Sequence, residues 1–199
     1  SFFSFLSSND QYSREKLVGD IETLESYYRD RGYLKFSIES SQISLSRDKK
    51  SIFITYNVNE GKKYTINDVD VVGEIPFEEE VYINIINSLK DQTYSQAQIT
   101  GIEEFFVNVL GNRGYAFAEV SGSTEIAEDS NEVKLTFSVA PGNKTYTRKI
   151  LFTGNNITQD YVLRREMRQF EGAWSSDNSI EAGKVRLERL GYFKEVNVE

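Results

Sequence analysis

The stretch YSQAQITGIEEFFVNVLGNRGY, residues 94–115, decides the fold, because an earlier stretch of the chain repeats its pattern. The earlier stretch, YSREKLVGDIETLESYYRDRGY, covers residues 12–33, and the two align without a gap. Both open on Tyr-Ser, carry a Gly and a Glu at matching positions, and close on Arg-Gly-Tyr. The closing glycines, Gly32 and Gly114, are 82 residues apart (114 − 32 = 82), and a shorter copy ends in Gly191-Tyr192. The chain is therefore built from repeats, each about the size of a small domain.

Each copy of the pattern predicts a helix followed by a strand. Ser13 and Ser95 are the expected N-caps, because a serine hydroxyl accepts the free amides of a first helical turn. Gly32 and Gly114 are the expected helix ends, because glycine adopts the left-handed conformation at low cost. The apolar residues at helical spacing are Leu17, Ile21, Leu24 and Tyr28 in the first copy, and Ile99, Ile102, Phe106 and Val109 in the second.

The repeat spacing predicts an α+β fold in three units. Residues 63–142 form a complete β-α-α-β-β unit, in which a three-stranded mixed sheet packs on two helices. Its strands are expected over 64–72, 115–125 and 132–140, and its first helix opens at Glu78 and carries Val81, Ile85 and Leu89 inward. Residues 1–62 lack the first strand and first helix, and residues 143–199 lack the last strand.

The first unit is expected to contain a strand pair over 33–45 and 51–59, joined by a polar turn at 46–50. The alternation of the first strand breaks between Ile38 and Ile43, which predicts a β-bulge. If this strand lies at a sheet edge, its free backbone groups can capture an extended peptide. The residues of the candidate edge are Phe36, Ile38, Ser40, Ser41, Ile43 and Leu45.

The third unit is expected to have a strand over 146–153, a helix from Thr158 to Phe170, a second helix over about 178–190, and a strand after Gly191. Its motif LRREMRQFEGAW, residues 163–174, would place Leu163, Met167 and Phe170 on the buried side of the first helix.

The charged residues Arg164, Arg168 and Glu171 follow at spacings that would place them on an outward face of that helix. They are either a solvated face with pairs inside the helix or a docking face for a protein partner, where Arg is favoured. Glu171 would end the helix just before Gly172, where a carboxylate meets the negative end of the helix dipole.

Composition excludes several classes of function. The net charge of −8 disfavours nucleic acid and anionic membrane surfaces as direct partners. The chain has no His and no Cys, so it lacks imidazole bases, imidazole metal ligands and thiol nucleophiles. No phosphate-cradling Gly-rich loop or nucleophile elbow is present. We expect no enzyme activity, no metal and no cofactor.

The chain resembles the POTRA repeats of the factors that assemble barrel proteins into the bacterial outer membrane. The resemblance rests on the repeat, on the Arg-Gly-Tyr junctions, on the Asp-Lys-Lys turn at 48–50, and on RKILFTGN…VLRREMRQFEGAW…RLERLGYF in the third unit. It covers the chain from about Tyr12 onward. It implies that the three units are the end of the third, all of the fourth and most of the fifth POTRA domain.

The resemblance implies a non-enzymatic scaffold at the periplasmic face of the outer membrane. Its partners would be accessory lipoproteins and unfolded outer-membrane proteins, the latter held by β-augmentation of a sheet edge. Membrane contact would occur only through the family's C-terminal barrel, which is missing from this chain. Glu171, supported by Arg164 and Arg168, would contact a basic residue of an accessory lipoprotein. The alternatives are the POTRA region of a two-partner-secretion translocator and, from another class, an enzyme or carbohydrate-binding module.

Overall fold

The computed structural model of the protein describes residues 9–47, 52–127 and 130–198. Backbone contacts group the chain into two compact units, the first holding the chain up to Asp70 with residues 83–100 and 124–135, and the second holding the rest. This boundary passes through one helix and three strands, whereas the division at 1–62, 63–142 and 143–199 follows the repeats and stays a prediction. The elements in chain order are α1 (Asn9–Arg29), β1 (Ser37–Leu45), β2 (Ile52–Asn59), β3 (Thr65–Gly73), a 3-10 turn (Glu79–Val81), α2 (Ile83–Leu89), α3 (Gln96–Gly111), β4 (Glu119–Ile126), β5 (Glu132–Ala140), α4 (Asp160–Arg164) and α5 (Asp177–Arg189).

Helix α1 of the first compact unit begins earlier than the sequence predicts. It starts at Asn9, so Ser13 lies inside the helix and the prediction that Ser13 is the N-cap is wrong. Near its end, Tyr28 stacks on Phe36 with ring centroids 4.1 Å apart. This stacking fixes the position of the chain where it leaves the helix and enters β1.

Strands β1 and β2 form a two-stranded antiparallel sheet in the first compact unit. Their register shifts between Ile38 and Ser40, which confirms the predicted β-bulge. Large apolar side chains remain exposed on both faces of β2, including Phe53 and Ile54. Within the described ranges no third strand joins this pair, so the outer edge of β1 is unpaired. Three residues of the predicted joining turn, 48–50, lie outside the described residues.

A three-stranded sheet in the order β3-β5-β4 confirms the predicted α+β architecture. Strands β3 and β5 run in the same direction, since the Thr65 amide donates to the carbonyl of Asn131 and the Glu74 amide donates to the carbonyl of Val139. Strand β4 joins the other side of β5, and the Ala127 amide donates back across the turn between them, so these two strands are antiparallel. The sheet is therefore mixed.

The central strand β5 carries the buried face of the sheet. Its alternate residues are buried as the sequence predicts: Val133 and Leu135 in the first compact unit, and Phe137 and Val139 in the second. In the second unit, Phe106 of α3 is fully buried, and its ring centroid lies 6.2 Å from that of Phe137. The helix packs on the sheet through this aromatic contact.

The first helix of this repeat differs from the prediction. The chain from Glu78 forms a 3-10 turn and only then the short helix α2. A 3-10 turn has fewer residues per turn than an α-helix, so each residue rotates further around the axis. The position that faces the core therefore shifts by one residue. Ile86 rather than Ile85 is therefore buried, while Leu89 is buried as expected.

A repeated junction links each Arg-Gly-Tyr to the repeat that follows it. In the first compact unit, Gly32 has φ +96° and its carbonyl accepts the amide of Tyr64 at 2.8 Å. In the second, Gly114 also has φ +96° and its carbonyl accepts the amide of Thr145 at 2.7 Å. Both glycines take the left-handed conformation that the sequence predicts.

The residue two positions before each glycine caps a helix of the next repeat. Asp30 Oδ1 accepts the amide of Ala97 at 2.8 Å, in the first turn of α3. Asn112 Oδ1 accepts the amide of Asn178 at 2.9 Å, in the first turn of α5. The predicted cap Ser95 is confirmed, since its hydroxyl accepts the amide of Gln98 at 3.3 Å. The start of each of these helices therefore depends on two side chains, one from each repeat.

The third repeat has less regular structure than the sequence predicts. No strand is present within residues 141–198, so the strands expected over 146–153 and after Gly191 are wrong. The backbone of these segments joins no sheet, and an isolated bridge between Tyr146 and Trp174 stands in place of a ladder. The second helix, α5, is present as expected.

The first helix of the third repeat is also shorter than predicted. Helix α4 begins after Gln159, so Thr158 is not its cap, and it ends at Arg164 instead of Phe170. Beyond it, the amide of Met167 donates to the carbonyl of Arg164, only three residues back. These tighter turns lead the chain off the helix axis. No helix within the described ranges is both long and apolar enough to cross a bilayer.

We expect Gly32→Ala to destabilise the protein more than Gly191→Ala does. Both positions have positive φ, so each alanine costs roughly 1–2 kcal/mol for the left-handed conformation. A Cβ on Gly32 would lie 2.8 Å from Thr93 Cγ2 and 3.0 Å from the carbonyl oxygen of Tyr64, whereas nothing lies within 4 Å at Gly191. The added crowding should cost Gly32→Ala about a further 1–3 kcal/mol in denaturant unfolding. Equal losses in the two variants would contradict the packing assigned to the junction.

Candidate partner-docking sites

Only the first two residues of the motif at 163–174 belong to α4, and the remaining residues form a loop. Leu163 and Met167 are buried, as the sequence predicts, but Phe170 is 64% exposed. Glu171 lies seven residues beyond the last residue of α4 (171 − 164 = 7), so it does not end a helix. The expected conflict between Glu171 and a helix dipole is therefore wrong, and its charge has other neighbours.

Four residues form the Arg164 cluster: Ile150, Asp160, Arg164 and Glu171. The Arg164 guanidinium donates to Asp160 Oδ2 at 2.7 Å, to Glu171 Oε1 at 3.0 Å and to the carbonyl of Ile150 at 2.8 Å. Glu171 Oε1 also accepts the amide of Ile150 at 2.7 Å. Both backbone groups of Ile150 are thus bound by one ion pair, which ties the start of the repeat to the loop at Glu171.

The electrostatics of the Arg164 cluster keep its groups charged. The Ile150 amide, and after it the Arg164 side chain, lower the pKa of Glu171 below its ordinary value of 4.5. Asp160, and after it Glu171, raise the pKa of Arg164. The side chains of Arg164 and Glu171 are 38% and 40% exposed, so a partner can reach both.

Arg168 does not join this cluster. Its side chain is exposed and makes no ion pair within the part of the chain that the structure describes. The structure therefore brings together Glu171 and Arg164 of the predicted docking residues, but leaves Arg168 apart. The helical face expected from their spacing does not exist, because α4 ends before Arg168.

Gln169 positions the loop and was missed by the sequence analysis. Among the residues whose side chains the structure describes, it is the only polar or charged one that is buried, at 4% exposure. Its Nε2 donates to the carbonyls of Phe170 and Trp174 at 3.2 and 3.0 Å, and its Oε1 accepts the amide of Ser176 at 3.0 Å. The apolar spacing gave no signal for its burial, because a glutamine is not part of an apolar stripe. Its amide satisfies backbone groups of the turn, and Phe170 is displaced to the surface.

A second ion pair fixes the turn to α5. Arg186 donates twice to Glu166 Oε2, from Nε at 3.1 Å and from Nη2 at 2.8 Å. The Glu166 side chain is 15% exposed, and Arg186 lowers its pKa. The loop that carries Glu171 is thereby held at both ends, by Arg186 and by the Arg164 cluster.

The preceding repeat carries the opposite charge at the position of Glu171. The isolated bridges Thr65–Thr93 and Tyr146–Trp174 occupy equivalent places at an offset of 81 residues (174 − 93 = 81). By this offset Lys90 is equivalent to Glu171. Lys90 Nζ pairs with Asp68 Oδ1 at 3.2 Å, and this contact is the main reason that the pKa of Asp68 is lowered.

The candidate peptide-binding edge lies on β1. Phe36 precedes the strand and is buried at 6% exposure, so the expectation that it belongs to the edge is wrong. Its ring is held by Tyr28, and it serves the core instead. The other predicted edge residues, Ile38, Ser40, Ser41, Ile43 and Leu45, lie within β1.

The bulge gives this edge its irregularity. Asn57 Nδ2 donates to Ser40 Oγ at 2.8 Å, next to the register shift. Ile43 is 62% exposed beyond it. A regular run with an exposed apolar side chain therefore follows the bulge, toward the end of the strand.

The sequence matches the family described as POTRA, surface antigen variable number repeat, over residues 4–61, 64–142 and 145–199. The chain belongs to the POTRA family. The resemblance inferred from its motifs is thus confirmed, together with the α+β fold. Within the described residues, no group of three or more His, Cys, Asp or Glu is placed to hold a metal ion.

Relatives of this POTRA chain carry the name of an assembly factor. It is 33% identical over 193 residues to the outer membrane protein assembly factor BamA of Buchnera aphidicola, covering 97% of this chain and 31% of that protein. It is 29% identical to BamA of Neisseria meningitidis, covering 99% of this chain and 25% of that protein. The chain spans about a third or less of the length of these relatives.

Solved structures of POTRA domains match the fold. The crystal structure of Haemophilus influenzae BamA POTRA3-5 has a TM-score of 0.76 and 29% identity, covering 91% of this chain and 72% of that one. BamA of Haemophilus ducreyi lacking POTRA domains 1-3 has a TM-score of 0.62 and 35% identity, covering 68% of this chain and 26% of that one.

We expect Glu171→Gln to lower the melting temperature at about pH 7, with a gap to the unchanged protein that closes in acid. The folded-state pKa of Glu171 is lowered, so its contribution to stability is present above the unfolded value of 4.5 and is lost as the pH falls through the folded value. Thermal melts across this pH range measure the gap.

Glu181→Gln is the matched control, because Glu181 is exposed, lies away from the C-terminal end of α5 and makes no side-chain ion pair or hydrogen bond in the described chain. Its gap should stay near zero at every pH. A Glu171→Gln gap that persists unchanged in acid would show that the carboxylate charge adds nothing.

Proposed function

We propose that this chain is the scaffold region of an outer-membrane protein assembly factor, acting at the periplasmic face of the outer membrane. The observation that carries the proposal is the run of three consecutive POTRA matches, together with relatives named as assembly factors over nearly the whole chain. The match to a POTRA3-5 structure supports the correspondence of the three repeats to the end of the third, the fourth and most of the fifth domain.

The described carboxylates whose pKa values are lowered make structural contacts. The described carboxylates with shifted pKa values, Asp68, Glu166 and Glu171, all shift downward through hydrogen bonds to cations or backbone amides. The chain also contains no His and no Cys. The carboxylates of Asp68, Glu166 and Glu171 are suited to fixing loops and presenting charge.

The Arg164 cluster is the proposed docking site for an accessory lipoprotein. Glu171 uses Oε1 for both of its bonds within the chain, which leaves Oε2 to accept a bond from a basic partner residue. Arg164 orients the carboxylate. Arg168 lies outside the cluster, but it is exposed and has no ion pair within the described chain, so it can pair with an acid of the same partner. The exposed Phe170 beside Glu171 supplies apolar area at the same place.

We expect Glu171→Lys in the full-length protein to weaken lipoprotein binding by on the order of 2–5 kcal/mol, because reversal leaves a buried partner cation facing another cation. Affinity is measured on the purified assembly complex, with folding followed by circular dichroism. Glu188→Lys makes the same charge change on an exposed face of the same repeat and should bind normally. Unchanged binding by folded Glu171→Lys would remove this site from the proposal.

The outer edge of β1 is the proposed site for unfolded outer-membrane proteins. Its backbone groups face no described strand, and main-chain pairing accepts many substrate sequences. The bulge at Ser40 limits regular pairing to the residues that follow it, where Ile43 offers an exposed apolar contact. An added strand would therefore run beside residues 41–45.

We expect an extended peptide from a barrel protein to shift the backbone amide resonances of residues 41–45 in isotope-labelled protein. Replacing Gln42 with Pro leaves the length unchanged but disrupts hydrogen bonding along the strand, and should abolish the shifts. Asn143→Pro is the control, because it makes a proline substitution at an exposed loop position outside every helix and strand. Shifts confined to helices would contradict the assignment.

A further inference from the structure

An extended segment of the third repeat presents a basic and aromatic surface. Lys144, Tyr146 and Arg148 are exposed, while the intervening Thr145 and Thr147 are half-buried. This alternation follows from extended backbone, in which successive side chains point to opposite sides. Three exposed residues therefore lie along one side of the segment.

Backbone hydrogen bonds hold this segment in place. The Thr145 amide donates to the carbonyl of Gly114 at 2.7 Å, and the Thr147 amide donates to the carbonyl of Ala173 at 2.9 Å. The carbonyl of Thr147 accepts the amide of Gly172 at 2.7 Å. The segment is thus fixed on both sides of Tyr146, so binding a partner would require little ordering of the backbone.

Trp174 widens the surface. Its ring packs edge-to-face on Tyr146 with centroids 6.4 Å apart, and the two side chains are 56% and 63% exposed. Lys144 Nζ lies 5.3 Å from the ring centroids of both Trp174 and Tyr115. We call the surface of Lys144, Tyr146, Arg148 and Trp174 the aromatic-basic strip.

The cations of the strip make no ion pair inside the described chain, although the Lys144 ammonium group lies over the rings of Trp174 and Tyr115. Within the described ranges neither Lys144 nor Arg148 forms an ion pair, whereas the neighbouring Lys149 acts on Glu171 and helps to lower its pKa. The strip is therefore a local concentration of positive charge on a chain whose net charge is −8. Charge complementarity favours an acidic ligand at this place.

We propose that the aromatic-basic strip binds an acidic, aromatic-containing segment of a partner protein. Trp, Tyr and Arg are the residue types that dominate binding energy at protein interfaces. An anionic membrane would gain only about 1 kcal/mol for each of the two unpaired cations, and it would repel the acidic remainder of the chain. A short acidic peptide segment meets the strip without that opposing charge.

This inference goes beyond the proposed docking site at Glu171, because it assigns a surface of opposite charge preference. The two sites lie close in sequence but would bind different groups. Glu171 would bind a basic residue of a partner, and the strip would bind an acidic segment. Failure of either leaves the other standing.

The test titrates the isotope-labelled chain with a synthetic peptide of about ten residues, rich in Asp and Glu and containing Phe and Trp. We expect saturable shifts of the amides of Tyr146, Thr147 and Arg148 and of the indole of Trp174. Arg148→Glu should weaken the fitted affinity about tenfold or more, because it replaces attraction by repulsion.

Lys62→Glu is the matched control, since Lys62 is an exposed cation in the loop before the equivalent segment of the preceding repeat. It makes the same change in net charge and should leave the affinity unchanged. A peptide with Lys at every acidic position should not bind.

Three outcomes would overturn the proposal. The first is an equal loss of affinity in Arg148→Glu and Lys62→Glu, which would show a general charge effect. The second is the absence of shifts at millimolar peptide. The third is binding of phosphatidylglycerol vesicles, through the same residues, by a chain that ignores the peptide.

Discussion

The carbonyl of the glycine in Arg-Gly-Tyr is the group on which the rest of the structure depends. In the left-handed conformation this carbonyl accepts a hydrogen bond from a backbone amide at the start of the following repeat. The donor is Tyr64 in one junction and Thr145 in the other. The same turn aims the side chain of Asp30 or Asn112 at the first turn of a helix in that repeat. One backbone conformation thus sets the start of the next repeat and caps one of its helices. A side chain at the glycine would oppose both effects.

The third repeat shows how a segment can be ordered without strand pairing. Its loop at 165–176 is held by polar contacts: Gln169 binds the backbone on both sides of Gly172, Arg186 binds Glu166, and the Arg164 cluster binds Ile150. Such contacts fix the backbone while leaving large side chains at the surface. Phe170 and Trp174 are exposed for this reason, and charged and aromatic groups become available together.

The repeat, the left-handed glycines, the bulge in β1 and the buried alternation of β5 could all be predicted from sequence, because each depends on short-range geometry. The ends of helices were less predictable. The sequence from Thr158 to Phe170 has good helical spacing, yet α4 ends at Arg164, where the guanidinium binds the distant carbonyl of Ile150. Tertiary hydrogen bonds decide such an end, and spacing alone does not contain them.

The motif named three candidate docking residues, and docking by them stays a prediction; their geometry could not be read from the motif, because Arg168 lies apart from Glu171 and Arg164. The motif drew attention to Glu171 and Arg164, which do form an ion pair, but it placed them on a helix that does not extend so far. The burial of Gln169 instead of Phe170 could not be read from apolar periodicity, because a glutamine satisfied by three backbone groups behaves as an interior residue.

Lys90 and Glu171 occupy equivalent positions but carry opposite charges, so the two repeats differ in the charge that they present to a ligand. A chain of similar modules invites a partner to bind one module out of register, since the backbone of each offers the same outline. At the equivalent loop position, however, one module presents an ammonium group paired with Asp68 and the other a carboxylate paired with Arg164. A ligand that recognises the carboxylate is repelled when it slips by one module. Duplicated architecture is thereby compatible with single-site recognition, and the discrimination requires no difference in fold.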